Sequence, residues 1–323
     1  MIARGLGLTL AAGLALSAGP AAQGEPTRLY PSLEDCQIYI KVLGAGQDGG
    51  APQIGISGEL APDLTPSSLG LVDRINGERY LFDATPEITR QLRNLDRIDG
   101  EHEGLALDGI FLTHAHIGHY LGLAFLGREA AGADRMPVYA MPRMAEFLRS
   151  NGPWDQLVTL GNIDLRELRA DEALRLSADL EVTPFPVPHR DEYSETVGFI
   201  LATSQKRALY VPDLDSWNEF EEMSGISLEQ LIAGVDYAFV DATFWDDGEL
   251  ENRDMSEIPH PRVARVMERL AHLPDEERAK VQFIHYNHTN PIRDGQSEQS
   301  RKVADAGYRV ARAGYRYCLV GEF

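Results

Sequence analysis

Three of the nine histidines fall within six residues, in Leu112-Thr113-His114-Ala115-His116-Ile117-Gly118-His119, directly after an apolar run. In an extended chain His114 and His116 point to the same side, because side chains alternate along a strand. His119 swings back to that point if a helix begins there. Neutral imidazole is the commonest side-chain ligand for zinc, and three imidazoles leave an open position for water or substrate. One such histidine would be an ordinary hydrogen-bonded side chain; three together at a strand's end point to a metal. Other ligand types also end apolar runs: His189 after Pro184-Phe185-Pro186-Val187-Pro188, Asp213 after Leu209-Tyr210-Val211-Pro212, and His285 after Val281-Gln282-Phe283-Ile284. Each alone reads equally as a cap or a satisfied core polar group. Their recurrence is the signal, since buried strands would deliver all of them to one sheet edge. A bound cation there lowers the pKa of its water to around 7 and polarises a carbonyl or phosphoryl oxygen.

Several residues are candidates for support. Asp241 ends the run Tyr237 to Val240 and either holds a ligand histidine in its tautomer or simply opens a loop. His260-Pro261 begins a helical stretch, and His260 is a candidate contact to a substrate oxygen. His288 is either a donor behind His285 or a turn residue, and Thr289-Asn290-Pro291 shapes a turn. His102 and His272 read as surface residues. Trp217, Phe244 and Trp245 either wall a pocket or pack in the core.

The elements that must position these side chains can be read from the pattern. Strand-like runs occur at Gln37 to Leu43, Ser67 to Val72, Arg79 to Phe82, Gly109 to Thr113 and Val138 to Ala140. Others follow at Leu180 to Val187, Val197 to Thr203, Ala208 to Val211, Tyr237 to Val240, Val281 to Ile284 and Tyr315 to Val320. Asn76-Gly77 marks a hairpin, and the glycines of Gly44 to Gly50 break the first strand. Helices are expected from a Thr85 cap and Pro86 onward, over Leu121 to Ala131, over Arg143 to Ser150, and as a long amphipathic segment over Arg262 to Leu273. Strands and helices alternate throughout, which predicts one mixed α/β domain of sheets covered by helices.

The N-terminus reads differently. Arg4, an apolar run from Leu6 to Leu16 and the small residues Ala18, Gly19, Ala21 and Ala22 have the form of a secretory signal peptide over residues 1–23. No second apolar span follows, so the expectation is a periplasmic or secreted protein free of the membrane after cleavage. In an oxidising compartment Cys36 and Cys318, the only two cysteines, either bridge or remain separate buried thiols. With 50 acidic against 30 basic residues and a net charge of −20, the surface repels phosphate backbones and anionic lipid. Nucleic acid is therefore excluded as a partner, and a small-molecule substrate is expected.

The order of a clustered His-x-His-x-x-His, a lone histidine, a strand-terminal aspartate and a late histidine resembles the metallo-β-lactamase superfamily. Within it the chain is most similar to the pyrroloquinoline quinone biosynthesis B protein group. The pieces carrying this are Val42-Leu43-Gly44 with its glycine-rich loop, Phe82-Asp83-Ala84-Thr85-Pro86-Glu87-Ile88-Thr89-Arg90-Gln91-Leu92, the histidine cluster through Gly122-Leu123, and Thr196-Val197-Gly198-Phe199. Tyr210-Val211-Pro212, Asp241-Ala242-Thr243-Phe244-Trp245-Asp246-Asp247 and His285-Tyr286-Asn287-His288-Thr289-Asn290-Pro291-Ile292 complete the match. The resemblance implies an αββα sandwich with metals at one edge of two facing sheets. It implies His114, His116 and His189 around a first metal, His119 and His285 around a second, and Asp213 bridging them. Zinc is the expected metal, as one or two ions, with iron or manganese as the other metals such ligands accept.

Three departures stand out. Gly118 holds the cluster position where the superfamily usually has aspartate, which leaves Asp213 to orient the nucleophilic water. The quinone-biosynthesis proteins usually alter the first histidines of the cluster, whereas His114 and His116 are intact. Those proteins also carry a cysteine-rich metal loop, and Gln47 to Gly55 contains no cysteine. The expected function is an exported metal-dependent hydrolase acting on an ester, amide, lactone or phosphoester bond, with Asp213 and His260 as its catalytic side chains. The rivals are an oxidative enzyme of the quinone-biosynthesis type and a binding protein that has kept the fold without turnover.

Overall fold

The computed structural model describes residues 36–55, 63–99, 104–250 and 253–321. The leader expected over residues 1–23 and His102 lie outside them. Residues from Leu33 onward form one compact unit.

Among the described residues, fourteen strands make two seven-stranded sheets. They are β1 (Cys36–Gly44), β2 (Ser68–Asp73), β3 (Glu78–Phe82), β4 (Gly109–Phe111), β5 (Met136–Ala140), β6 (Ile163–Glu167), β7 (Leu174–Ser177), β8 (Leu180–Pro186), β9 (Val197–Ala202), β10 (Arg207–Val211), β11 (Tyr237–Asp241), β12 (Val281–Ile284), β13 (Arg309–Val310) and β14 (Arg316–Gly321). The first sheet runs β14-β1-β2-β3-β4-β5-β6 and the second β13-β12-β11-β10-β9-β8-β7. Each has an antiparallel half and a parallel half: β14 to β3 and β7 to β10 alternate in direction. From β3 to β6 and from β10 to β13 the strands run parallel.

Side-chain alternation assigns the two faces of β1. Ile38, Ile40 and Val42 enter the core shared with the second sheet, where Val182, Phe199, Tyr210 and Phe239 face them. Tyr39 and Leu43 point the other way, into a layer with Leu95, Leu148 and Trp154 from the covering helices. Strands buried on both faces read as continuous apolar runs, which is why they were legible in the sequence. The architecture is the αββα sandwich that the resemblance implied.

Some elements differ from expectation. The helix after Thr85 spans Ile88–Asp99; Thr85 Oγ1 accepts from Glu87 N at 3.1 Å in a turn that precedes it. The stretch after the histidine cluster is a short helix, Ile117–Tyr120, followed by a 3₁₀ segment, Leu121–Leu126, and then turns. The helix expected over Arg262 to Leu273 spans only Val263–Leu270, with Arg262 as its N-cap. Strands β6, β7 and β13 carry intermediate or exposed residues at most positions, so no apolar run announced them. The cysteines do bridge: Cys36 and Cys318, with Cα atoms 5.8 Å apart, tie β1 to β14.

Candidate metal centre

All the expected ligands leave the carboxyl ends of strands. His114, His116 and His119 follow β4, His189 follows β8, Asp213 follows β10 and His285 follows β12. Ligand sites in open parallel sheets form at those ends. His116 is the N-cap of the short helix Ile117–Tyr120, and that turn brings His119 back over the strand end.

Two groups of ligand atoms share Asp213. His114, His116, His189 and Asp213 have ligand atoms within 4.8 Å of one another, and so do His119, Asp213 and His285. In the first group, His114 Nε2 lies 2.9 Å from His116 Nδ1, which lies 3.1 Å from His189 Nε2. Asp213 Oδ2 is 3.3 Å from His114 Nε2 and 3.4 Å from His189 Nε2. In the second, Asp213 Oδ2 is 3.7 Å from both His119 Nε2 and His285 Nε2. One carboxylate oxygen is therefore central to both.

The rings are held from behind. Asp83, fully buried at the end of β3, lies 2.9 Å from His119 Nδ1 and accepts from Thr113 N and Thr113 Oγ1, each at 2.9 Å. Tyr210 in the opposite sheet donates to the same carboxylate at 3.3 Å. Asp215 Oδ1 lies 2.7 Å from His189 Nδ1. Such partners fix the tautomer so that the other ring nitrogen is presented. The sequence reasoning gave Asp83 and Asp215 no role. Asp83 had a signal, since it ends an apolar run as Asp213 and Asp241 do. Asp215 had none, because its place depends on a loop.

Asp241 holds a histidine, but the histidine is His260 and none of the six expected ligands. Its Oδ2 is 2.9 Å from His260 Nδ1, and its other contacts are Leu214 N, Thr243 N and Thr243 Oγ1. His260 does not open the helix; it sits in the preceding loop at φ +102, with Nδ1 also 3.3 Å from Asp213 Oδ1. A third possible cation group is thus Asp213, Asp241 and His260. His260 lines two adjoining cavities: one of about 840 Å³ with Asp215, Trp217 and Arg262, and one of about 510 Å³ with Asp48, Arg190, Arg253, Phe244 and His288. Trp217 packs in the core and walls the larger cavity, and Phe244 is buried and walls the smaller one. His288 is half-buried with its ring on Asn287 Oδ1 at 2.7 Å, and His272 is exposed.

The electrostatics suit cation binding. Burial, reinforced by neighbouring histidines, holds His114 and His285 well below the ordinary imidazole pKa, and His116 at about 4. These rings are neutral and present lone pairs. Burial also pushes His119 and His260 down, but Asp83 overrides it at His119, and Asp241 with Asp213 lifts His260 to about 9. Burial raises the carboxyl of Asp213. His285 Nε2 is buried without a hydrogen-bond partner among the described residues, and so is Asp213 Oδ1, which faces His260 without hydrogen-bond alignment. Buried polar atoms left unpaired are costly, and a cation held with Asp213 Oδ2 in the second group would satisfy His285 Nε2. The donor set of imidazoles and a shared carboxylate fits zinc.

A two-sheet sandwich with histidines and a shared aspartate at its strand ends defines a class, and sequence comparison agrees. Residues 78–315 match the β-lactamase superfamily domain, and the chain belongs to that family. Within it, the chain is 25% identical over 315 residues to coenzyme PQQ synthesis protein B of Xanthomonas campestris, covering 87% of this chain and all of that protein. The crystal structure of zinc-bound PqqB from Methylobacterium extorquens superposes with a TM-score of 0.70 at 21% identity, over 86% of this chain and 99% of that one. A diphosphatase of the PhnP family superposes with a TM-score of 0.61, also at 21% identity, over 87% and 96%. The likeness to the quinone-biosynthesis group expected from the sequence is thus present, and the same fold also carries hydrolases.

Proposed function

We propose that this protein is an exported, zinc-dependent hydrolase of small molecules. The observation that carries this reading is the convergence of six ligand side chains, from four strand ends, beside two cavities. When bound, zinc supplies Lewis acidity and lowers the pKa of its water to around 7. His114, His116 and His189 would hold a first ion and His119 and His285 a second, with Asp213 shared by both groups and available to orient the attacking water. His260, steadied by Asp241, faces the cavities and contacts a substrate oxygen. Arg190 and Arg253 line the smaller cavity together with Asp48 and Glu257, a polar setting for a small molecule, and the net charge of −20 disfavours nucleic acid. The Cys36–Cys318 bridge and the leader-like N-terminus support an oxidising compartment.

The test is hydrolysis of a panel of chromogenic esters, amides, lactones and phosphoesters by protein stripped with chelator and reloaded with zinc. Turnover should return with zinc and be lost in His116→Ala and His189→Ala. A zinc-replete protein inert towards the whole panel would refute it. The similarity to coenzyme PQQ synthesis protein B favours oxidation as the second reading; oxygen consumption by iron-loaded protein that hydrolyses nothing would establish it. Inactivity in both assays would leave the non-catalytic binding protein.

A further inference from the structure

Position 118 lies between His116 and His119 and has no side chain. A Cβ built there would stand 2.5 Å from the backbone oxygen of Asp48 and 3.0 Å from its Cα. The obstacle is backbone, so no rotamer change relieves it, and glycine is required by the close approach. The volume a carboxylate at 118 would occupy is therefore taken by another acidic residue, from the loop after β1.

That loop is fastened beside both histidines of the second group. Gln47 N donates to Tyr286 O at 3.1 Å and Tyr286 N to Ala45 O at 3.0 Å, next to His285. Asp48 itself abuts Gly118, next to His119. Asp48 has φ +49, a conformation that aspartate and asparagine adopt more readily than most residues with a side chain. Its carboxylate is exposed and makes no hydrogen bond or ion pair among the described residues, and it borders the cavity shared with His260. Its charge reaches His119, adding to the pull of Asp83 and Asp213 on that ring.

We propose that Asp48 supplies the carboxylate position 118 cannot carry, as the anionic donor that joins His119, Asp213 and His285 when a divalent cation binds. Asp48 is not among the side chains already gathered within 4.8 Å. It joins by rotation between staggered side-chain wells, a small step for an exposed residue with no partner to release. This inference rests on the metal centre proposed above and assigns its second position a donor from outside the histidine cluster.

The experiment is zinc binding by the full chain, read as zinc per chain by elemental analysis and as affinity by competition with a chromogenic chelator. Asp48→Asn removes the charge while tolerating the backbone angle, and Asp48→Gly removes the side chain. Glu222→Gln, on an exposed helix position, controls for net charge. The expected result is two zinc ions on the natural protein and on Glu222→Gln. In both Asp48 variants the first ion should be unchanged and the second weakened about tenfold or more. Equal affinity for the second ion in Asp48→Asn, in a variant whose melting temperature without metal matches the natural protein, overturns the proposal while leaving the metal centre intact. A natural protein that binds a single ion, unaffected by Asp48→Asn, also overturns it. A natural protein that binds no zinc overturns the metal centre itself.

Discussion

Two buried aspartates do the same thing in the two halves of the sandwich with different consequences. Asp83 follows β3, accepts from the hydroxyl of Thr113 and lies against Nδ1 of His119; Asp241 ends β11, accepts from the hydroxyl of Thr243 and lies against Nδ1 of His260. The Asp83 lock spans both sheets, because Tyr210 closes it from the other side, and its ring shares Asp213 with His285, whereas the ring on Asp241 shares Asp213 with Asp241 itself. The Asp241 lock stays within loops of its own sheet, and its ring lines the cavities from a left-handed backbone position. A carboxylate–threonine pair orients a ring in either place. The loop that carries the ring decides what else it does: His119 lies in the cluster after β4, and His260, on the loop before the helix Val263–Leu270, lines the cavities.

The comparison breaks most sharply at Asp83. Asp83→Ala strips Thr113, His119 and Tyr210 of their shared acceptor, and a loss of about 3–5 kcal/mol is expected, read by denaturant unfolding, with the second zinc released. Unfolding at an unchanged midpoint would show that the lock does not span the sheets. Next is the edge that distinguishes the sheets. The first is closed by the C-terminal strand and a bridge across a separation of 282 residues. Cys318→Ser should cost about 2–4 kcal/mol, with amide exchange rising along β1 and β14 and unchanged along β7 to β10.

Asp241→Asn is the test of the second lock. Hydrolysis should fall roughly 10–100-fold with zinc per chain unchanged; zinc loss would mean that this lock also serves an ion. The smallest effect is at the surface, where Arg269 bonds Glu229 and Glu221. Arg269→Ala should cost about 1 kcal/mol or less at neutral pH. The Arg269 hydrogen bonds hold the Glu229 carboxyl at about 2, below its ordinary 4.5. Its contribution is therefore present above about pH 4.5 and fades as pH falls towards 2, so the variant should lose less stability over that interval than the natural protein does.

The sandwich and the convergence of the six candidate ligands were legible for a physical reason. A strand buried on both faces must be apolar for its whole length, and the first polar residue beyond it is left at the sheet edge. His114, His189, Asp213 and His285 each stand just past such a run, so their types and order announced a shared site. Exposed strands such as β6 and β7 carry no comparable constraint, and the apolar spacing up to Leu273 continues past Leu270, where the helix ends.

Three matters were settled only by the packed chain. The pairing of Cys36 with Cys318 needed a separation that β1 and β14 provide by lying side by side. The partner of Asp241 proved to be His260 because a loop 19 residues away bends back over it. Gly118 looks in the sequence like a lost carboxylate, whereas in three dimensions it is the clearance required by Asp48, 70 positions earlier. Patterns along a chain record which residues are buried and where strands end. Which loop closes over those ends depends on contacts between distant segments, and no local pattern encodes them.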